Sequence, residues 1–196
     1  MRHCILTIIF ILTLTINSKI YGQGRVDTDP ILHNIWWTTQ KVDRNLNLKK
    51  EIKKYKNSFG TSFKIYFFNS DTLCKILELG KTHNGTEQTL YYFDKGKPIY
   101  ISVDRNNFKL SDNIQFVNEA INSFDQTIDT LVNQQAHFIE QYTSSYYFYK
   151  DKVHFAAVII YSDQGQIKNV RHDNKNDIKQ GMSLYMSGMN KKLSDK

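Results

Sequence analysis

Cysteine is nearly absent from this chain of 196 residues, which has two. Cys4 lies in a leader-like start, so cleavage there leaves Cys74 alone. That excludes an intramolecular disulfide in the mature chain, even in an oxidising compartment. Cys4 also precedes the apolar run, whereas a lipoprotein signal needs its cysteine just after it, so lipid anchoring is not supported. Long apolar runs are lacking as well. The run from Cys4 to Thr15 is far below the roughly 20 residues that span a bilayer, and no transmembrane span is expected in the mature chain. Arginine is scarce after the leader, at positions 25, 44, 105 and 171 only. Lysine therefore carries the basic surplus, and an ammonium lacks the bidentate fork used on phosphates and bases. Nucleic acid is not an expected partner. Catalytic signatures are missing too: there is no G-x-S-x-G, no P-loop, no G-x-G-x-x-G and no H-E-x-x-H.

What is present begins with Met1-Arg2-His3, a short positive start, followed by an apolar run rich in Ile, Leu and Phe. The stretch Ile16 to Gln23 is polar and carries small residues at Ser18 and Gly22. That order is the order of a secretory signal peptide, cleaved after Ser18, Gly22 or Gln23. The expected organisation is a signal peptide over 1–22, a flexible tail over 23–29 and a single domain over 30–194. The expected location is exported, either periplasmic or secreted. The formal net charge is +7, of which Arg2 and Lys19 in the leader supply two. Twelve Tyr and twelve Phe, at roughly 150–250 Å² each when buried, are ample for a core, so the body of the chain is expected to fold.

Asp29-Pro30 is a favoured helix start, with a capping carboxylate and a proline in the first turn. Ile31, Ile35, Val42 and Leu46 then recur near helical spacing, as do Leu48, Ile52 and Tyr55, with Lys49, Lys50, Lys53, Lys54 and Lys56 on the other faces. One or two helices are expected over 30–57, broken near Asn45-Leu46-Asn47 and stopped at Ser58 to Ser62. The period then changes to 2. Phe63–Phe68 pairs with Leu73–Leu79, Thr86–Phe93 with Ile99–Val103, and Tyr142–Tyr149 with Val153–Tyr161, and a last short strand spans Gln166–Val170. Phe116, Ala120, Ile121, Phe124, Ile128, Leu131 and Val132 predict a crossing helix over 113–134. Ile178, Met182, Tyr185 and Met189 predict an amphipathic helix laid on one sheet face, with Asp177 as its cap. The fold class is α+β: an antiparallel β-meander of about six or seven strands with an N-terminal helix, a crossing helix and a C-terminal amphipathic helix. Tyr91 to Pro98 matches Tyr146 to Val153 at Tyr, Tyr, Phe, Lys and Lys, which reads as one hairpin used more than once.

Few residues offer chemistry. His33, His83, His137, His154 and His172 are scattered singly, a poor basis for a zinc site. Alternation puts His154 on a face with Ala156, Val158 and Ile160, where a partly buried imidazole hydrogen-bonds a carbonyl or acts as a pH-sensitive element. Cys74 falls with Thr72, Ile76 and Glu78 and has no base in view to activate it. Arg171 to Asp177 is rich in oxygen donors but lacks the glycine and distant glutamate of an EF-hand, so it reads as a polar loop opening a helix. Asn84-Gly85-Thr86 is both a glycosylation sequon and a tight turn. Tyr91, Tyr92, Tyr100, Tyr146, Tyr147 and Tyr149 must project from both faces of a sheet. One face builds the core, and the other either pairs across strands or forms a binding platform. Tyr91, Tyr100, Tyr147, Tyr149 and His154 are the candidate ligand-binding residues. No catalytic residue, metal or cofactor is expected.

With its leader, opening helix, Tyr91-Tyr92-Phe93-Asp94-Lys95-Gly96-Lys97 type of hairpin and closing amphipathic helix, the chain resembles a loose set of small uncharacterised exported β-meander proteins of Gram-negative bacteria. The resemblance covers the organisation of residues 30–194 and brings no catalytic residues with it. The expected function is that of a non-enzymatic exported binding protein. It would present an aromatic, Lys-rimmed sheet surface to a protein or envelope polymer, an inhibitor- or immunity-like role being one form. The alternatives are an enzyme with a site assembled from distant residues, His154 and Cys74 among them, and a structural or assembly factor of the cell envelope.

Overall fold

Stretches with period-2 patterning recur along the chain from Phe63 onward, and neighbouring stretches pair. The structure, a computed structural model, describes residues 28–58, 60–82, 85–108, 138–162 and 165–193. Helix α1 (Pro30–Arg44) is followed by β1 (Lys49–Asn57), β2 (Gly60–Asn69), β3 (Thr72–Thr82), β4 (Gly85–Asp94) and β5 (Lys97–Phe108). Then come β6 (Phe138–Tyr149), β7 (Lys152–Ser162), β8 (Ile167–His172) and α2 (Lys175–Leu193). The strands form one 8-stranded sheet in the order β1 to β8, each antiparallel to its neighbours. The fold is thus the expected α+β meander, with eight strands rather than about six or seven. The leader, most of the tail, the crossing helix expected over 113–134, His83, Asn84 and His137 lie outside the described residues.

The extra strand is β1, where helix was expected. Leu48, Ile52 and Tyr55 fit a helical stripe, but three positions fix no period, and the adjacent β2 supplies a ladder to join. In that ladder Ile52 faces Ile65 and Tyr55 faces Ser62. The lysines gain as well: Lys50, Lys53 and Lys54 lie 5.7, 5.2 and 5.5 Å from the ring centres of Phe67, Tyr66 and Phe63. Such cation–π contacts stabilise by about 0.5–1 kcal/mol at exposed sites.

The repeated hairpin is present three times. In β2–β3, β4–β5 and β6–β7 the register slips by one residue at the same place, after Phe67, Tyr92 and Tyr147. Phe68, Phe93 and Phe148 then face Leu73, Pro98 and Val153. Cys74, Ile99 and His154 are therefore the extra residues of three equivalent β-bulges. The tips match too. Lys95-Gly96 and Lys150-Asp151 have positive φ at both positions, as does Ser70 in the first hairpin, the backbone that primed hairpin turns require.

This register builds the core. Tyr66, Ile76, Tyr91, Ile101, Tyr146 and Ala156 face one another in a single row across six strands, and all belong to one buried cluster. Helix α2 lies over that row through Ile178, Met182, Tyr185 and Met189, as its stripe predicts. Two glycines let it settle on the rings. A Cβ on Gly181 would come 2.6 Å from Tyr146 Cδ1, and one on Gly188 would come 3.1 Å from Tyr91 Cδ1.

The cap of α2 is Asn174, whose Oδ1 accepts the Asn176 N–H at 2.9 Å. Asp177, the expected cap, instead lies buried in the first turn and holds Arg171 of β8 at 3.1 and 3.3 Å. The side-chain oxygens of Asp173, Asn174 and Asp177 in this loop are thus taken up by the fold. Asp173 accepts the Ala156 N–H at 3.0 Å, and its own N–H donates to the Ala156 carbonyl. The segment is a polar loop opening a helix.

Candidate functional site

The sheet's second face follows from the same repeat. In each hairpin the residue after the core tyrosine, and the residue before the facing small or aliphatic core position, point away from α2. Those residues are Phe67 with Lys75, Tyr92 with Tyr100, and Tyr147 with Phe155. With Lys50 outside Phe67 they form one continuous row across β1 to β7. The Lys75 ammonium lies 5.3 Å from the Phe67 ring and 5.0 Å from the Tyr92 ring. Tyr92 and Tyr100 are 5.8 Å apart between ring centres, Tyr100 and Tyr147 4.8 Å, and Tyr147 and Phe155 5.8 Å. His172 closes the row, stacked on Phe155 at 5.6 Å.

Helix α1 lies on this face. Its fully buried Leu32 packs with Phe155, and Trp36, Tyr147 and Ala157 surround the pair. A carboxylate fastens each end. Asp29 caps the helix, with Oδ1 accepting the N–H groups of Ile31 and Leu32 at 2.9 and 3.3 Å, while its Oδ2 is 2.7 Å from Nε2 of His154. Asp43 at the far end accepts from the Lys75 ammonium at 2.8 Å and from the Tyr92 hydroxyl at 2.9 and 2.8 Å. Burial, and after it the Asp43 charge, pushes the Tyr92 hydroxyl far above the usual phenol range. Burial likewise raises Tyr100 and Tyr147. These phenols remain protonated near neutral pH, and that of Tyr92 donates to Asp43.

Burial alone would raise the Asp29 carboxyl, but the bonds from His154 and the helix backbone take it below the ordinary range. Its contribution is therefore present above about pH 4, the unfolded carboxyl value, and is lost as pH falls further. Asp29→Ala is expected to cost about 0.5–2 kcal/mol at pH 7, the range for a lost helix cap. Parallel urea titrations of wild type and variant at pH 7 and pH 3 check this, because the difference should shrink at the lower pH.

The expected site residues divide into three places. Tyr100 and Tyr147 are neighbours in the aromatic row. Tyr149 and His154 lie at the β6–β7 tip, with rings 6.2 Å apart. Tyr91 is on the opposite face, 1% exposed beneath α2. The bulge corrects two expectations of alternation. His154 does not share the face of Ala156 and Val158 but turns to Asp29, and Cys74 leaves the face of Ile76, its thiol directed at the Thr72 carbonyl at 3.3 Å. Among the described residues, no group of three His, Cys, Asp or Glu side chains is placed to hold a metal.

Phe67, Lys75, Phe155 and Asp43 were not legible as site residues, and Tyr92 was read only among the tyrosines that project from the two faces. A third copy of the repeat, Tyr66-Phe67-Phe68 with Leu73 and Ile76, was the available signal for the first of them. Asp43 had none, since its partners lie 32 and 49 residues away.

The row is sheltered by α1 toward β7 and open toward β1. All residues from Lys49 to Lys56 are exposed, and Phe67 and Lys75 are half-buried beside them. No protein-family model, no curated protein and no solved structure matches the chain.

Proposed function

We propose that the protein is an exported, non-enzymatic binding protein that holds a protein or envelope polymer on the open end of its aromatic face. The observation that carries this is the Lys50–Phe67–Lys75 row, an aromatic ring between two ammonium groups, flanked by an exposed lysine-rich strand. Such a surface offers apolar area at Phe67 and positive charge from Lys50 and β1 together, Lys75 being paired with Asp43, and among the described residues it holds no nucleophile paired with a base. An inhibitor- or immunity-like role is one form of the reading. Export rests on the leader pattern of residues 1–22.

The test is capture from native envelope and culture medium by the full chain, tagged at its C-terminus and expressed in its source organism. A single partner retained at 0.5 M salt and lost in Phe67→Ala is the expected result. At that ionic strength screening removes most exposed charge attraction, so only salt-sensitive, heterogeneous capture would overturn the reading. Edman sequencing of the exported protein is expected to start after Ser18, Gly22 or Gln23, and an intact Met1 in the exported fraction would overturn the leader.

A further inference from the structure

Strand β1 is an outer strand: among the described residues it pairs with β2 alone. An outer strand presents unpaired backbone groups to solvent and is a template for another strand. Here it is nine residues long and carries Lys49, Lys50, Lys53, Lys54 and Lys56 against one acid, Glu51. The pleat sorts these side chains. Lys50, Ile52, Lys54 and Lys56 fall on the aromatic face, and Lys49, Glu51, Lys53 and Tyr55 on the other. Same-face neighbours are about 6.8 Å apart, which is also the spacing of alternate side chains on any strand that joins the edge.

Lysines on an edge commonly serve only to prevent strand pairing. Two features point further. Ile52 is 54% exposed and Tyr55 37%, one on each face and each flanked by lysines; protection needs neither. The ammonium groups of Lys50, Lys53 and Lys54 are also ordered against β2, since each lies over one of its rings. This ordering lowers the entropy lost when an anion binds. Self-pairing is disfavoured by the same pattern: two antiparallel copies of β1 would set a lysine-rich strand against a lysine-rich strand, and like charges directly opposite are destabilising.

We infer that β1 takes up an extended acidic peptide as a ninth strand. Its main chain pairs with the open edge, its carboxylates on one face meet Lys50, Lys54 and Lys56, and its apolar side chains on the other face meet Tyr55. This rests on the binding-protein reading and names the partner's chemistry and where it docks.

The probe is a fluorescent nonapeptide of alternating Glu and Val, titrated by anisotropy against the full chain at 0.15 M salt. Two further peptides of equal charge carry backbone N-methyl groups on one or the other set of alternate residues. The expected result is that one methylated peptide binds at least tenfold more weakly and the other binds nearly as well as the parent, because only alternate N–H groups face the edge. Lys50→Glu combined with Lys54→Glu is expected to weaken the parent peptide at least tenfold, with circular dichroism unchanged. Lys152→Glu with Lys168→Glu, far from β1, is expected to leave binding as it was.

Equal binding of all three peptides, or equal binding by short-chain polyphosphate, would overturn strand addition in favour of charge alone. No binding of any peptide, or concentration-dependent dimerisation lost in the Lys50/Lys54 variant, would overturn it as well. If the peptides fail while a salt-resistant partner is still captured and still lost in Phe67→Ala, the edge inference falls and the binding reading stands. If the peptides bind and capture fails, the reverse holds.

Discussion

Raising the pH above about 10 is expected to unfold the protein within about two pH units. An unfolded tyrosine gives up its proton near pH 10. In the folded protein Tyr91, Tyr92, Tyr100, Tyr146 and Tyr147 keep theirs to higher pH, chiefly because burial disfavours the phenolate; Tyr146 is pushed up to about 12. Above the unfolded value the folded state therefore holds more protons than the unfolded one. The contribution of these tyrosines is constant below that pH and falls above it, by up to about 1.4 kcal/mol per pH unit for each retained proton. Several such groups acting together can exhaust a typical stability of about 5–15 kcal/mol. Phenolate absorbance at 295 nm should rise in a step that coincides with loss of the circular dichroism signal. A smooth rise with the fold intact would mean the rings are reached by hydroxide without unfolding.

Tyr146→Ala is expected to lower the unfolding free energy by about 3–5 kcal/mol, the range for deleting a large buried aromatic side chain. Tyr146 has no exposed surface, and it stands between Ile101 and Ala156 under Gly181 of α2. Tyr91→Ala and Tyr66→Ala are expected to cost similar amounts, since these residues hold the same position in the other two hairpins and are 1% and 4% exposed. Guanidinium titrations of the three variants measure this. A loss below about 1 kcal/mol at any of them would show that the row is not one packed unit.

How much of this was legible depended on the range of the interaction that decides each element. The hairpins could be read because alternation and turn residues are local, and so could the stripe that seats α2. Strand β1 could not: Lys49–Asn57 has no apolar alternation of its own, and its conformation is set by the rings of β2. His154 and Cys74 were misplaced by a single residue each, because a bulge changes the phase of a strand without changing its composition. The aromatic row was visible only in part. Tyr100 and Tyr147 belong to it and Tyr91 does not, and a one-residue difference in strand position decides between them. The clasp of Asp43 on Tyr92 and Lys75 was invisible, since it depends on where a helix end meets the third and fourth strands.

The unbroken order of the meander bears on how the chain acquires its structure. The described hairpins join adjacent strands through tight turns, so they can form early and independently, each with its own bulge and aromatic triplet. The pairing of β5 with β6 differs, because Phe108 and Phe138 are direct partners across a long stretch of intervening chain. Closing a loop of about thirty residues rather than two costs about 2 kcal/mol more in chain entropy. The sheet thus divides kinetically into an N-terminal half, β1 to β5, and a C-terminal half, β6 to β8. Their seam lies where Ile101 meets Tyr146 on one face and Tyr100 meets Tyr147 on the other. Zipping that seam is expected to be the slowest pairing step, and the tyrosines on either side of it reward its completion.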